Sequence, residues 1–414
     1  MINAATTPIR KIIHQSHHSY LCTLLICAAV LAPNIALGHG TAQTPAGPND
    51  RTIDFPDTKE YKTLVVDLHT HSVFSDGHVW PKIRVDEALK DGLDGLAITE
   101  HLEYQPHRAD LLNPDRNRAY IEAASAAEGS TLMVIRGSEI TREAPAGHIN
   151  AIFIEDANKL LKVKNPPKDK SDVLGYYTAA NQWPSQNAVE AAHNQGAFIF
   201  WNHPDWTRQA PDGIARINDF HAQNAKNGIL NGIEIANGDY YSEEAFAIAL
   251  EYDLAIIGVS DVHDLIDWDY KPHEGGHRPV TLVLAKDKSI AALKEGLFAR
   301  RTVVWTRNTL MGRAPDLIPI LQASLSTSKL TYRPDTSVAI VTLSNNSDMN
   351  MQLRYTGAHS LLLGPDRITV PEHGEYELHV KPGKVVDTLD LPFVVENALT
   401  APGQNPSIVL SSQR

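Results

Sequence analysis

Residues 63–78, TLVVDLHTHSVFSDGH, contain the first predicted strand of the chain and the polar residues that follow it. The run 63–67 is short, apolar and β-branched, which is typical of a buried strand. His69 and His71 come after it, and residues two apart in an extended chain point to the same side. Two neutral imidazoles placed in this way can bind one divalent cation. A single pair of this kind is more often structural, so its meaning depends on the rest of the chain.

Further along the chain, predicted strands are again bordered by residues of the types that bind metals. These segments are 93–99 with His101, 131–136 with Glu139, 148–154 with His148 at its start, 197–201 with His203, 232–236 with Asn237, and 254–259 with Asp261 and His263. Helical spacing is found between strands at 81–91, 114–128, 185–195, 242–252 and 289–299, and two more strands are predicted at 279–285 and 302–306. This alternation favours a parallel α/β sheet or barrel.

The composition is that of a soluble globular protein and excludes one class of substrate. The chain has 414 residues, 43% of them hydrophobic and 21% charged, enough for one large domain and a smaller one. The net charge of −12 argues against DNA or RNA as a substrate, because no basic stripe could displace counterions from a phosphate backbone. A small phosphate ester held by metal ions remains compatible. The 19 histidines are an unusually high number.

The N-terminal segment 1–38 is predicted to be a cleaved signal peptide of an exported, periplasmic protein. Arg10 and Lys11 precede the apolar run 20–32, and Ala36-Leu37-Gly38 offers small residues before a cut. The alternative is an uncleaved anchor, but the run is short for a bilayer, so no stable membrane anchor is expected. Both cysteines lie inside this segment. The mature chain would therefore build any metal site from histidines and carboxylates.

The remaining segments divide into a linker, a barrel and a β-rich tail. Residues 39–60 are predicted as a linker because they are rich in Pro, Gly, Thr and Asp. Residues 61–312 form the α/β part. Residues 313–414 are predicted as a small β-sandwich, with alternating segments at 338–343, 352–355, 367–370 and 376–380 separated by turn residues. The tail contains no cluster of ligand-type residues, which favours a structural or oligomer-forming role, and the oligomeric state stays open.

The ligand-type residues next to the strands are expected to converge. In an α/β barrel the carboxyl ends of the strands meet at one mouth, so residues distant in sequence can come together there. The set comprises six histidines and three carboxylates: His69, His71, Asp76, His101, Glu139, His148, His203, Asp261 and His263. Each of them alone is more often a structural residue. Together they favour a centre of up to three divalent ions with a bridging carboxylate.

The motifs HTHS, SDG, ITEH, GSE, GH, NHP and SDVH resemble the PHP (polymerase and histidinol phosphatase) family over residues 63–307. The resemblance implies a distorted (β/α)7 barrel, which the predicted β-sandwich would follow, and a centre of two to three divalent metal ions at which phosphate esters are hydrolysed. Sites built from histidines and carboxylates accept Mn, Zn or Fe, and the donor types alone do not choose between these metals. The implied ligand sets are His69, His71, Glu139 and Asp261 for one ion, Glu139, His148 and His203 for a second, and Asp76, His101 and His263 for a third. Glu100 departs from the family, which usually has Asp there, and is expected to orient the adjacent histidine.

The assignment of His148 has two competitors. His193 lies in a helical pattern before a strand, and we interpret it as structural. His78 follows the turn at Asp76-Gly77 and could belong to the site or to the pocket around it.

The layout of the chain suggests a closer similarity within the family. Export, a β-rich tail and HEGGHRPVTLVLA at 273–285 are similar to secreted PHP-type phosphodiesterases that process organophosphate diesters. The predicted function is hydrolysis of small alkyl or aryl phosphate diesters by a metal-bridged hydroxide, with Glu139 and Asp261 as catalytic residues and Asp261 orienting the hydroxide. The alternatives are a phosphomonoesterase, a non-catalytic metal-binding periplasmic module and, ranked lower, an amidohydrolase.

Several residues near the predicted strand ends are candidates for contact with the substrate. Arg208 and Arg278 are predicted phosphate contacts, and His277 is a candidate acid for the leaving group. Aromatic residues could form an apolar slot for the ester groups: Trp201, Trp206, Tyr240 and Tyr241.

Overall fold

The computed structural model describes residues 51–111 and 115–414. The strands of the first part are β1 Lys62–Asp67, β2 Gly95–Ile98, β3 Met133–Thr141, β4 His148–Ile152, β5 Phe198–Trp201, β6 Gly232–Asn237, β7 Tyr240–Tyr241, β8 Ala255–Val259, β9 Val280–Ala285, β10 Thr302–Thr306 and β11 Thr309–Gly312. The helices are α1 Pro81–Lys90, α2 Arg118–Ala126, α3 Val173–Ala180, α4 Ser185–His193, α5 Asp219–Lys226, α6 Glu243–Glu251, α7 Ile266–Asp269, α8 Ile290–Phe298 and α9 Ala314–Ser324. Short 3₁₀ turns occur at Ala157–Leu160 and Pro272–Glu274.

The helix ends follow local chemistry. Helix α1 begins at Pro81, whose fixed φ suits the first helical position, and the chain leaves it through Gly92 at φ +67°, a conformation that glycine adopts without a steric penalty. Helix α6 is capped by Ser242, whose side chain accepts a hydrogen bond from the N–H of Ala245. Strands β2, β5 and β8 are short, apolar and buried on both faces, as expected for a sheet covered by helices.

The strands form one curled mixed sheet. Strands β1, β2 and β3 are parallel, and so are β5, β6 and β8. Strand β4 is inserted antiparallel between β3 and β5. Strand β9 pairs antiparallel with β1, and β10 pairs antiparallel with β9. The sheet is therefore mixed and not wholly parallel as the alternation alone predicts.

The curled sheet closes between the ends of β1 and β8. The N–H of Asp261 donates to the carbonyl of His69, and the N–H of His71 donates to the carbonyl of Val262. A parallel bridge between Thr70 and Val262 continues this contact. The closure brings the first predicted ligand pair next to the last one, although they are far apart in the sequence.

The C-terminal part is a β-sandwich that begins after a helix. Its strands are β12 Leu325–Thr327, β13 Thr331–Tyr332, β14 Ala339–Asn345, β15 Met351–Tyr355, β16 Ser360–Leu361, β17 Arg367–Val370, β18 Glu375–Lys381, β19 Thr388–Val395, β20 Ala398–Leu399 and β21 Ser407–Gln413. They form two antiparallel sheets, while β20 returns to pair with β11 of the barrel sheet. Residues 314–324, predicted as part of the sandwich, form helix α9, which contains Pro319.

The described part of the predicted linker packs against the rest of the chain. Residues 51–60 have no regular helix or strand, but Ile53 and Phe55 are buried, and the Phe55 ring contacts Trp305 edge-on at 5.1 Å. The predicted signal peptide lies outside the described residues. Within them, no helix has the length and apolar character needed to cross a membrane.

Candidate metal centre

The structure brings the nine predicted ligand residues to one mouth of the curled sheet. Most of them follow the carboxyl ends of parallel strands, where barrel sites are built. His148 instead stands at the start of β4. Because β4 runs antiparallel to β3 and β5, its first residue pairs with Thr141 at the end of β3, and its carbonyl accepts from the N–H of Asn202 just past the end of β5. A histidine at the beginning of a strand therefore reaches the same mouth.

The first group of donor atoms contains two histidines and two carboxylates. The Nε2 atoms of His69 and His71 are 3.0 Å apart. The Oδ1 atom of Asp261 lies 3.1 Å from each of these nitrogens. Glu139 Oε2 is 3.7 Å from His69 Nε2 and 3.5 Å from His71 Nε2. These four residues are those that the resemblance implies for a first ion.

Glu139 also reaches a second group of donor atoms. Its Oε1 atom is 2.9 Å from Nδ1 of His148 and 3.7 Å from Nε2 of His203. Because its other oxygen faces the first group, the fully buried Glu139 carboxylate stands between the two groups. That is the position of a bridging ligand.

Asp76 is the centre of a third group. Its Oδ1 atom lies 3.3 Å from Nε2 of His101 and 3.2 Å from Nε2 of His263. His71 joins this group through its Nδ1 atom, 3.9 Å from the same oxygen. Three sets of residues within the cluster bring their donor atoms within 4.8 Å of one another: His71, Asp76, His101 and His263; His69, His71 and Glu139; and His101, Glu139 and His148.

The donor set fits divalent cations. One oxygen of each carboxylate, Asp76 Oδ1, Glu139 Oε2 and Asp261 Oδ1, is buried and accepts no hydrogen bond of normal geometry. Buried carboxylate oxygens are expensive to leave without a partner. Here they converge with imidazole nitrogens, and that mixture of hard oxygen and borderline nitrogen donors suits Zn, Mn or Fe. The cluster is therefore able to bind metal ions.

Charge within the cluster keeps His71 and two of the carboxylates in the forms that bind cations. Burial, reinforced by neighbouring histidines, lowers the pKa of His71 to about 3. Burial alone would raise the pKa values of Glu139 and Asp261, but the histidines around them hold both well below the ordinary range. His71 is consequently neutral and both carboxylates are ionised near neutral pH, which are the protonation states required of ligands. Burial opposes protonation of four further histidines, but the neighbouring carboxylates outweigh it and raise the pKa of each above its ordinary value: His69, His101, His203 and His263. A cation bound there would therefore displace a proton.

Two residues of the cluster have strained backbones. His203 and Asp261 have φ values of +28° and +52°, in the left-handed region that non-glycine residues rarely adopt. Hydrogen bonds compensate for this, because the N–H of His203 donates to Glu234 Oε2 at 2.7 Å and the N–H of Asp261 donates to the carbonyl of His69 at 3.0 Å. Strain held in this way is common where a side chain must be aimed at a functional site.

Glu234 orients ligands and was not singled out by the sequence. It is buried in β6, and its Oε1 atom lies 2.7 Å from Nδ1 of His69. Its Oε2 atom accepts from the amide of Asn237, whose nitrogen is also 3.2 Å from Asp261 Oδ2. A carboxylate on the far nitrogen of a ligating histidine sets the orientation of the ring and raises its basicity.

Glu100 acts on a different neighbour from the one that was expected. Its carboxylate accepts hydrogen bonds from the hydroxyls of Ser72 and Ser75, and the Ser75 hydroxyl lies 3.2 Å from Nδ1 of His71. It therefore positions His71 through Ser75 and holds the loop that leads to Asp76. The His101 ring is paired with Asp76 and Glu139 instead.

The two competitors of His148 lie outside the cluster. His193 is exposed at the last position of α4. His78 is exposed and pairs with Asp264, its Nδ1 atom 2.6 Å from that carboxylate.

The predicted substrate contacts divide into those that line the pocket and those that do not. A pocket of about 1000 Å³ adjoins the cluster and is lined by Arg208, Trp206 and Tyr240, among others. Tyr241 is not among its lining residues and pairs with Ala236 in the β6–β7 hairpin.

Three predicted contacts need correction because tertiary packing removes them from the pocket. Arg278 is fully buried, with its guanidinium 3.1 Å from Asp67 and 2.6 Å from Asp91. His277 stacks on the Trp305 ring at 3.4 Å, and Trp201 is buried against the His221 ring at 4.0 Å. We therefore do not retain Arg278, His277 or Trp201 as substrate contacts.

Comparisons with known proteins agree with this architecture. Residues 67–252 match the PHP domain family, and residues 325–411 match an Ig-like domain family. A crystal structure of a two-domain protein from Bacteroides vulgatus ATCC 8482, containing a predicted PHP-like metal-dependent phosphoesterase, is 35% identical in sequence. It superposes with a TM-score of 0.76 over 87% of this chain and 98% of that chain.

Two other solved structures share less of the chain. A proposed metal-dependent phosphoesterase from Bifidobacterium adolescentis ATCC 15703 is 20% identical, with a TM-score of 0.35 over 48% of this chain and 88% of that one. An amidohydrolase from Chromobacterium violaceum, with bound sulfate and no metal, is 17% identical, with a TM-score of 0.34 over 58% and 97%. No curated protein matches the chain.

Proposed function

This chain belongs to the PHP family, and from that premise we propose that it is a metal-dependent phosphodiesterase that hydrolyses small alkyl or aryl phosphate diesters. The observation that carries the proposal is the convergence of six histidines and three carboxylates beside a pocket of about 1000 Å³. A cluster of this size exceeds what a structural metal site requires, since four ligands complete such a site.

The proposed mechanism assigns a task to each part of the cluster. Two to three divalent ions of Mn, Zn or Fe, held by the three donor groups, would acidify a water molecule and neutralise charge on the phosphoryl oxygens. Asp261 lines the pocket, and its Oδ2 atom, held by Asn237, orients the attacking water in line with the scissile bond. The P–O ester bond breaks as the oxygen of the attacking water bonds to phosphorus. The leaving group departs as an alkoxide or phenoxide and takes up the proton that the water gives up, so that an alcohol or phenol is released. Glu139, buried between two donor groups, keeps them at a fixed separation.

The charges of the pocket-lining residues favour a phosphate diester over a phosphate monoester as the substrate. Arg142 and Arg208 are the arginines among the described lining residues, and each is paired with a carboxylate. Arg142 lies 2.8 Å from Glu103, and Arg208 lies 3.6 Å from Glu143. A diester has one negative charge, whereas a monoester has up to two and gains more from unpaired cations.

The first experiment compares two substrates after reconstitution of the protein with Mn or with Zn. We expect kcat/KM for bis(4-nitrophenyl) phosphate to exceed that for 4-nitrophenyl phosphate by about tenfold or more, a ratio within the range of ordinary binding discrimination. A tenfold preference for the monoester would favour the phosphomonoesterase. Fewer than two bound ions per chain, with no turnover of either ester, would favour a non-catalytic binding module.

The second experiment removes ligands. We expect His69→Ala and Asp261→Ala each to lower kcat by about a thousandfold or more, because they delete groups of the cation-binding machinery that stabilises the transition state. Circular dichroism should stay unchanged, and Glu377→Ala, in the β-sandwich, serves as the control with normal activity. Full activity in either of the first two variants would contradict the proposal.

We also propose that the protein is exported to the periplasm, with residues 1–38 removed. The charged start, the apolar run 20–32 and the small residues before His39 support this. N-terminal sequencing of the protein purified from the periplasm should begin at His39. Recovery of the chain with its original N-terminus in the membrane fraction would contradict it.

A further inference from the structure

The pocket beside the metal centre has a second set of lining residues that the mechanism above does not use. Six of the nine cluster residues line the pocket: Asp76, His101, His148, His203, Asp261 and His263. The same pocket is lined by a group of large apolar side chains, which we call the aromatic wall: Tyr104, Leu174, Tyr177, Trp206 and Tyr240. These residues come from the segment after β2, from α3, from the loop after β5 and from β7, so the tertiary fold assembles the wall.

The aromatic wall is continuous with the donor cluster. The Trp206 ring lies 5.2 Å from the His148 ring and 5.2 Å from the His203 ring. The Tyr104 ring lies 6.0 Å from the His101 ring and 6.3 Å from the Tyr177 ring. A group attached to a phosphorus atom at the cluster would therefore lie next to aromatic rings.

Four side chains of the aromatic wall are exposed to solvent, which is unusual for large apolar side chains gathered in one place. Tyr240 is 75% exposed, Leu174 74%, Trp206 39% and Tyr104 38%. Large apolar side chains gathered on one surface mark binding sites more often than chance exposure does. An apolar ligand group that covers them removes their surface from water, which is favourable.

The charges around the wall discourage a second anionic group. The guanidinium of Arg208 lies 5.9 Å from the centre of the Trp206 ring and forms an exposed pair with Glu143 at 3.6 Å. The Glu143 carboxylate also accepts a hydrogen bond from the Tyr177 hydroxyl at 3.1 Å. Asp205 adds a further acidic residue to the lining. A substrate with a second phosphate would meet these carboxylates and no unpaired arginine among the described lining residues.

We propose that the aromatic wall is the subsite for the non-reacting ester group of the diester, and that it selects an uncharged, apolar group of the size of an aromatic ring. The inference rests on the proposed phosphodiesterase function and deepens it. Trp206 and the Tyr104–Tyr177 pair would flank the bound ring, and Leu174 would cover its outer edge. The aromatic wall would discriminate between substrates by its contact with the non-reacting ester group, while the donor cluster acts on the phosphorus.

The test uses two diesters with the same leaving group. Bis(4-nitrophenyl) phosphate and methyl 4-nitrophenyl phosphate both release 4-nitrophenol, but they differ in the ester group that remains. We expect Trp206→Ala to lower the ratio of their kcat/KM values about tenfold relative to the unmodified protein, since a lost apolar contact discriminates by about that factor. Comparing ratios between variants cancels the different intrinsic reactivities of the two esters.

A second variant is needed because Trp206 contacts two histidines of the cluster, so that its removal could also disturb the metal ligands. Leu174 is on α3 and is largely exposed, and Leu174→Asp would place a carboxylate in the wall. We expect it to lower the same ratio, because the carboxylate opposes burial of the aryl ester group against the wall more than it opposes binding of the methyl ester. The matched control is Trp268→Ala, an exposed tryptophan (67%) that is not among the pocket-lining residues and should leave both rates unchanged.

The outcomes separate this inference from the function on which it rests. A ratio within twofold of the unmodified protein in Leu174→Asp and in any active Trp206→Ala protein would overturn the subsite, while hydrolysis of both esters would leave the phosphodiesterase intact. If the unmodified, metal-loaded protein hydrolyses neither ester, the proposed function itself fails.

Discussion

Glu234 illustrates how the site depends on single residues that are not themselves in the donor cluster. Its two oxygens contact the ring of His69, the backbone of His203 and the side chain of Asn237. It therefore fixes one histidine by its ring and another by its backbone. The strained φ of His203 is maintained in part by this hydrogen bond.

We predict that Glu234→Gln lowers metal affinity by about 10- to 100-fold, the usual effect of changing a residue that hydrogen-bonds to a ligand. The amide loses the negative charge that raises the basicity of the His69 ring. Competition titration with a chromophoric chelator measures the affinity. The matched control is Glu377→Gln, a carboxylate that pairs with His379 in the β-sandwich. Equal affinity in the two variants would show that Glu234 has no such role.

Some residues of the site could be predicted from the sequence and others could not. The ligand-type residues were recognisable because each stands beside a predicted strand in a known series of motifs. Glu234 was not, because it lies inside the apolar strand β6, 165 positions from His69, and no local pattern joins the two. Arg278 was predicted to contact the substrate as an arginine next to a predicted strand, whereas in the structure Asp67 and Asp91 neutralise it in the interior.

At the scale of elements, the ion pairs of Arg278 join three parts of the barrel. Asp67 ends β1, Asp91 caps α1, and Arg278 precedes β9. Asp67 also accepts a hydrogen bond from Ser260, at 2.6 Å from the hydroxyl. The network lies directly behind the strand ends that carry His69 and Asp261.

We predict that Arg278→Ala lowers the free energy of unfolding by about 3–5 kcal/mol, because it removes the buried cation between two buried carboxylates. Among the described residues, Asp67 then keeps only the hydrogen bonds from Ser260 and a backbone N–H, and Asp91 keeps only its pair with Arg51. Denaturant unfolding of the metal-free protein measures this difference. Arg300→Ala is the control: Arg300 is exposed and lies 3.2 Å from the exposed Asp253, and such surface pairs contribute about 0–1 kcal/mol. Similar losses in the two variants would mean that the buried network does not stabilise the barrel.

Strand direction is the element-level feature that the sequence did not reveal. The alternating pattern predicts strands and helices, and the observed elements agree with most of the predicted positions. It does not predict that β4 runs antiparallel, because the connection between β3 and β4 is a short loop with no helix in it. This reversal is what puts His148 in the cluster.

On the scale of the whole molecule, the barrel and the β-sandwich share one hydrophobic cluster. It includes Trp305 and Leu310 of the barrel sheet and Leu353 and Phe393 of the sandwich. Asn308, in the turn between β10 and β11, adds polar contacts, because its side-chain oxygen accepts from the N–H of Asn350 at 2.8 Å. The two parts are therefore joined by a common core.

We predict that the metal-free protein unfolds in a single calorimetric transition, with equal calorimetric and van't Hoff enthalpies. A shared core and the pairing of β20 with β11 mean that one part cannot unfold without exposing apolar surface of the other. Differential scanning calorimetry in the presence of a chelator makes the measurement, since bound metal would stabilise the barrel alone. Two resolved transitions would contradict a common core.

The sequence by itself determined the class of fold, the series of donor residues and their order along the chain. All three can be predicted from local patterns. Apolar periodicity predicts where the strands lie, and the donor residues are recognised because they stand directly beside these strands. Only the tertiary structure decided which charges meet the substrate, which are neutralised in the interior, and which aromatic side chains share one wall. The physical reason is that burial and ion pairing depend on partners hundreds of positions apart, such as Asp67 and Arg278, whose proximity exists only after the sheet has closed.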